Sequence, residues 1–313
     1  MFLCCGDALF DLFASDTSTD KTGSVTLAGA VGGSPMNVAA GLARLGHPSR
    51  YLTRLSSDLF GERMRDYLAA NNIDTSLCID TTLNTTLAMV QKQPDGSAQY
   101  AFYTDNTADV SMTDDDMPAP LPGDVRVLHF GSYSTAVDPT STTLMNLART
   151  QTSSRIISYD PNLRPSIEPD AERWRAVFKG YGSSANLIKA SDEDIETLLG
   201  KGKEDQFVAD CFAMGAQLVF ITRGPDGASG FKPDGSVVHA PGVAVNVVDT
   251  VGAGDTFQAT ILHWLQREGH ITDAATLQGE VDLEASMALA IRAAGITCTR
   301  SGADLPTLAD LSR

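Results

Sequence analysis

Residues 249–257 read DTVGAGDTF, with Gly252, Ala253 and Gly254 placed directly before Asp255. Phe257, Ile261, Leu262 and Leu265 follow at helical spacing, so the three small residues lie at or just before a helix N-terminus. Such a terminus offers free N–H groups and the positive end of the helix dipole, and small side chains let an anion approach closely. Asp255 in the first turn could simply complement that dipole. An anion-binding loop followed at once by a carboxylate is, however, what phosphoryl transfer to a hydroxyl requires. The carboxylate accepts the hydroxyl proton while the N–H groups stabilise the charge of the transferring group.

A second stretch, GGSPMNVAAGLARLG at 32–46, reads as another helix start. Ser34 can cap, Pro35 fits the first helical position, and Met36, Ala39, Ala40, Leu42 and Ala43 supply an apolar face. That reading leaves the Gly32-Gly33 pair and Asn37 unexplained. The glycines would let a ligand approach the backbone, and the Asn37 amide can both donate to and accept from a sugar hydroxyl. No other nucleotide signature competes: GxxxxGK[ST] is absent, GAGDTF lacks the third glycine of GxGxxG, and the five histidines show no metal-ligand spacing. His129 fits a buried core position.

GDALFDLF, GGSPMNVAAGLARLG, YDPNLRP and DTVGAGDTFQA, in this order, resemble the ribokinase-like (PfkB-type) carbohydrate kinases, most closely the fructokinase branch, over essentially the whole chain. The resemblance makes Asp255 the catalytic base and the N–H groups of Gly252, Ala253 and Gly254 its anion hole. It implies that Asp11, Gly32, Gly33 and Asn37 bind sugar hydroxyls. Asp160, Asn162 and Arg164 would line the site, with Arg164 reaching toward substrate or the transferring phosphoryl. Thr222, Gly224 and Gly227 match a loop that contacts ATP, and Ser286 with Ala290 matches one wall of an adenine pocket. Where related kinases often carry Asn-x-x-Glu near the magnesium–phosphate cluster, this chain has Ser191 and Asp194. Asp194 is therefore the candidate metal-side residue, with a capped surface helix as the alternative.

The implied cofactors are ATP and Mg²⁺, and a monovalent cation such as K⁺ is compatible with the resemblance, as is a homodimer. The implied reaction is phosphorylation of a primary hydroxyl of a neutral sugar, most closely D-fructose to fructose 6-phosphate. Tyr103 is the candidate lid contact, and the Thr104 and Asp105 that follow it offer no cation for a carboxylated sugar. A 2-keto-3-deoxygluconate kinase or riboside kinase of the same family is the alternative, and a sugar-binding regulator without catalysis is the non-enzyme alternative.

The elements that must position these residues alternate between short β-type runs and helix-length segments. SRYLTRL precedes 59–71, VRVLHF precedes 139–149, RIISY precedes 171–179, and QLVFIT and VAVNVV come later. The pattern predicts an α/β fold, a doubly wound, mostly parallel sheet flanked by helices, with ligands beyond the carboxyl ends of the strands. Residues 85–103 break the rhythm as two β-type runs joined by Pro94-Asp95-Gly96, which predicts a small projecting β lid. We expect one domain over 1–313, with 12–31 and 81–109 forming a discontinuous lid within it. The formal charge of −16 argues against nucleic acid or anionic membrane as partners. Five cysteines without disulfide spacing fit a reduced cytoplasmic protein, and no apolar run is long enough to span a bilayer.

Overall fold

The computed structural model describes residues 1–14, 26–92 and 98–312. In chain order the first half carries strands β1 (Phe2–Cys5), β2 (Leu9–Ala14) and β3 (Leu27–Gly32), helix α1 (Ser34–Arg44), strands β4 (Ser49–Leu52) and β5 (Arg54–Ser56), helix α2 (Leu59–Ala70), and strands β6 (Ile79–Thr81), β7 (Thr86–Lys92) and β8 (Ala98–Tyr103). Next come β9 (Val127–Gly131), α3 (Thr140–Gln151), β10 (Ile156–Asp160), α4 (Ala171–Gly182), β11 (Leu187–Ser191), α5 (Asp192–Leu199) and α6 (Glu204–Ala213). The chain then forms β12 (Leu218–Thr222), β13 (Ala228–Phe231), β14 (Val237–Ala240), α7 (Ala253–Arg267), α8 (Leu283–Cys298) and the short α9 (Leu308–Leu311).

An eight-stranded sheet runs in the order β14-β13-β12-β11-β10-β9-β1-β4. Its six strands from β12 to β4 are parallel, and β13 and β14 close one edge antiparallel. Successive side chains on a strand face opposite ways, so both faces of a covered sheet must be apolar. Phe2, Cys4, Val127, Ile156 and Leu187 pack on one side with residues of α1, α2, α7 and α8. Leu3, Cys5, Leu128, Ile157 and Ile188 pack on the other with α3, α4, α5 and α6. Each strand thus anchors two cores and fixes where its carboxyl end points.

A second sheet, β3-β2-β7-β8, stands apart from the first. Its β2 and β7 are parallel, while β3 and β8 flank them antiparallel. Leu9 and Ala88 from this sheet pack with Val110 and Tyr133, which fastens it beside the carboxyl ends of the main strands. The turn expected at Pro94-Asp95-Gly96 and residues 15–25 of the expected lid segment lie outside the described residues.

Two expected strands differ. SRYLTRL divides at Thr53: β4 joins the large sheet, while β5 pairs with β6 in a separate two-stranded ribbon. VAVNVV forms no strand, and Val243, Val245, Val247 and Val248 are all exposed. The end of this run is tied to a helix instead, because the Val248 and Asp249 N–H groups both donate to the Cys298 carbonyl of α8. High β-propensity makes no strand where the backbone partner lies elsewhere.

Candidate active site

Helix α7 starts at Ala253 with Gly252 as its N-cap, in the left-handed conformation at φ 79°. The Ala253 N–H donates to the Thr250 carbonyl, while no acceptor is recorded among the described residues for Gly252 or Gly254. Gly254 is small for a reason, since a Cβ there would stand 3.1 Å from the Lys189 Nζ. Asp255 follows, 7% exposed, in the first turn.

Both oxygens of Asp255 receive hydrogen bonds from α1. Ser34 Oγ donates to Oδ1 at 2.6 Å and Asn37 Nδ2 donates to Oδ2 at 2.8 Å. Ser34 is the first residue of α1 rather than its cap. The N-cap is Gly33 at φ 122°, where a Cβ would strike the Asp7 carbonyl at 2.3 Å. Freed from capping, the Ser34 hydroxyl accepts from Asn162 Nδ2 at 2.9 Å and delivers its proton side to the carboxylate. Burial raises the Asp255 pKa, and the bonds from Ser34 and Asn37, then the charges of Lys189 and Arg164, work against that rise.

A cleft of about 660 Å³ opens in front of Asp255. Gly252, Ala253 and Gly254 line its floor, together with Asp11, Gly33, Ser34, Asn37, Asn162, Arg164, Thr222 and Gly224. Leu9, Phe13, Val90 and Phe102 of the small sheet also line it. Asp7 lines the cleft while accepting from the Ser34 N–H and from Ser134 Oγ, and burial pushes it up to about 7. Burial likewise pushes Asp11 up to about 6, against the favourable charge of Arg164. Gly32 does not line the cleft; a Cβ there would lie 2.4 Å from Asp11 Oδ2, so it makes room for that carboxylate.

Besides Gly32, five expected residues stand elsewhere or are otherwise engaged. Tyr103 is 60% exposed and lies outside the cleft, because adjacent strand residues face opposite ways and Phe102 takes the inner side. Asp160 is fully buried behind the cleft wall, where its Oδ2 pairs with Lys189 Nζ at 2.8 Å. Ser286 is fully buried on α8, donates to the Leu283 carbonyl of its own helix and does not reach the cleft. Gly227 sits behind Gly224, pressed against the Ala240 carbonyl. Asp194 lines the cleft, but its Oδ1 accepts from the Leu163 N–H and its Oδ2 from the N–H and hydroxyl of Ser191, in a capping box. Among the described residues no group of three or more His, Cys, Asp or Glu side chains could hold a metal ion. A magnesium ion bound through nucleotide phosphates and water needs no such cage.

Lys189, Asp7 and Phe102 were not among the residues singled out in the sequence. A lysine inside the apolar run LIKAS was the available signal for the first, because lysine is almost never buried without a partner.

The family described as pfkB family carbohydrate kinase matches residues 1–310. A fructokinase of Rhizobium leguminosarum bv. trifolii is 40% identical over 272 residues, covering 87% of this chain and 82% of that one. An uncharacterized sugar kinase from Pyrococcus horikoshii, solved in complex with ATP, superposes with a TM-score of 0.83 at 28% identity, over 98% of this chain and 95% of that one. The fructokinase of Xylella fastidiosa, solved with bound ATP, shares the fold with a TM-score of 0.88 at 24% identity, over 99% and 96% of the two chains.

Proposed function

We propose, for a chain that belongs to the pfkB family of carbohydrate kinases and is a sugar phosphotransferase, that it transfers the γ-phosphoryl group of ATP to the 6-hydroxyl of D-fructose, with Asp255 as general base. The observation that carries this reading is the buried Asp255 carboxylate at the end of an anion-accepting helix start, facing a cleft roofed by a second sheet.

Each Asp255 oxygen accepts one bond from α1 and keeps a lone pair for a substrate hydroxyl. The hydroxyl proton passes to Asp255 as the sugar oxygen bonds to the γ-phosphorus. The bond from that phosphorus to the β,γ-bridging oxygen breaks, and ADP leaves with the electron pair. The N–H groups at Gly252 and Gly254 face the charge on the transferring oxygens. Asp11, Gly33 and Asn37 are the groups for sugar hydroxyls, and Thr222 and Gly224 are those for the nucleotide. Magnesium would arrive with the phosphates of ATP and lower their charge, with Asp194, which lines the cleft, the candidate on the protein side. Potassium dependence is part of the same reading and is read by replacing K⁺ with a bulky organic cation. A cytoplasmic location is supported by five free cysteines and by the absence, among the described residues, of a helix long and apolar enough to cross a membrane.

The choice of a neutral sugar rests on charge. Six carboxylates line the cleft, those of Asp7, Asp11, Asp192, Glu193, Asp194 and Asp255, against the two cations Arg164 and Lys189. Asp105, exposed and outside the cleft, plays no part in that balance. A panel of sugars with magnesium and ATP tests the assignment. kcat/KM for fructose should exceed that for 2-keto-3-deoxygluconate by at least about tenfold, roughly 1.4 kcal/mol of discrimination. A better keto acid would remove fructose and leave the sugar kinase; no turnover with any sugar would favour a binding protein.

A further inference from the structure

Lys189 is the middle residue of β11, 4% exposed, and lines the cleft from within that strand. Its neighbours Ile188 and Ala190 belong to the core on the α3–α6 side, so alternation turns Lys189 to the opposite face, toward α7. There its Nζ bonds Asp160 Oδ2 at 2.8 Å. It also stands over the anion loop, 3.1 Å from the position that a Cβ on Gly254 would occupy.

A purely structural ion pair in so dry a place would be expected to satisfy its remaining donors and acceptors, since burial otherwise costs more than the pairing returns. This pair does not. Asp160 Oδ1 is buried with no hydrogen-bond partner, and the ammonium, with three donors, has one recorded bond among the described residues. Its charge is nevertheless secure: burial acts to lower the Lys189 pKa, but Asp160, Asp194 and Asp255 together hold it above the ordinary value. The chain thus keeps a fixed positive charge with spare donors beside the loop assigned to the transferring group. The helix start alone offers about half an elementary charge.

We propose that Lys189 is a further catalytic residue, whose ammonium contacts an oxygen of the phosphoryl group in flight, and that Asp160 is the positioning residue that aims it. This rests on the kinase reading above. The two fail separately, because turnover by the unaltered enzyme is established first and the Lys189 experiment then compares variants with it.

The decisive variant is the pair Lys189→Met with Asp160→Asn, which removes both charges and leaves none buried alone. Expected is a kcat lower by about 10²–10³, the range for loss of one preorganised donor at a developing charge, with fructose KM within about threefold. Calorimetry adds a readout a structural role would not move. ADP should bind the double variant with affinity close to that of the unaltered enzyme, whereas the added tightening by aluminium fluoride with ADP and fructose should be lost. Lys189→Arg, which keeps the charge, should recover at least about tenfold of the lost kcat. A double variant with kcat within threefold of the unaltered enzyme would overturn the proposal. So would unchanged aluminium fluoride binding by the folded double variant. Should the double variant not be obtained folded, Lys189→Arg alone decides: the proposal fails if arginine supports no more turnover than Lys189→Met.

Discussion

At Asp255 the substitution to asparagine keeps the size of the side chain and removes its basicity. Asp255→Asn should therefore bind sugar and nucleotide while kcat falls by about 10²–10⁴, the usual share of a positioned base; near-normal turnover would take Asp255 out of the mechanism. The bond from Ser34 gives a finer test. A donor to a carboxylate favours its charged form, so removing the hydroxyl raises the pKa of the base, and the base works only when deprotonated. In Ser34→Ala the acidic limb of the kcat/KM profile should move up by about one pH unit, and a limb left in place would mean that Ser34 does not act on Asp255. The Asp255 loop was legible in the sequence because its chemistry is local: small residues, a helix start and a carboxylate are contiguous. The role of Ser34 was not, because its partner lies 221 residues away and a serine before Pro35 reads first as a cap.

For whole elements the informative case is the small sheet. A hairpin that interrupts an alternating pattern can be seen in sequence, but which of two adjacent aromatics faces the ligand depends on register, and a shift of one residue reverses the answer. Here Tyr103 pairs with Leu87 on the outward side and Phe102 lies inward against Tyr133. Phe102→Ala should raise the fructose KM by about tenfold or more, as the loss of a buried aromatic contact of about 1.5–3 kcal/mol implies, while Tyr103→Ala leaves it nearly unchanged. Hydrogen exchange measured over 85–103 should slow when fructose is added, because a roof over this cleft must exclude water to keep ATP from hydrolysis. Equal exchange with and without fructose would show that the sheet is a fixed wall. The VAVNVV run shows the opposite limit, since its composition is that of a strand while its hydrogen bonds go to the end of α8.

For the molecule as a whole, the alternation of strands and helices carried the sheet, its parallel sense and the end at which the cleft would open, because those follow from periodicity and from the covering of two faces. What periodicity could not carry is which distant strands become neighbours. The order places β1 between β9 and β4, and Asp160 on β10 opposite Lys189 on β11. The buried pair was therefore invisible until two strands were laid side by side.

The hydrogen bonds that hold Asp255 join its helix to a helix more than two hundred residues earlier, and α1 and α7 lie on one face of the sheet with α8 beside them. During synthesis the ribosome delivers the residues proposed for the sugar first and Asp255 more than two hundred residues later. A chain still attached at residue 250 already carries Asp11, Asn37 and both strands of the hairpin, yet has neither anion loop nor base. On the proposed assignment the sugar groups and the base are thus separated in time during the life of each new molecule: a growing chain carries the first long before the second, and it cannot transfer a phosphoryl group until the helix that begins at Ala253 has emerged.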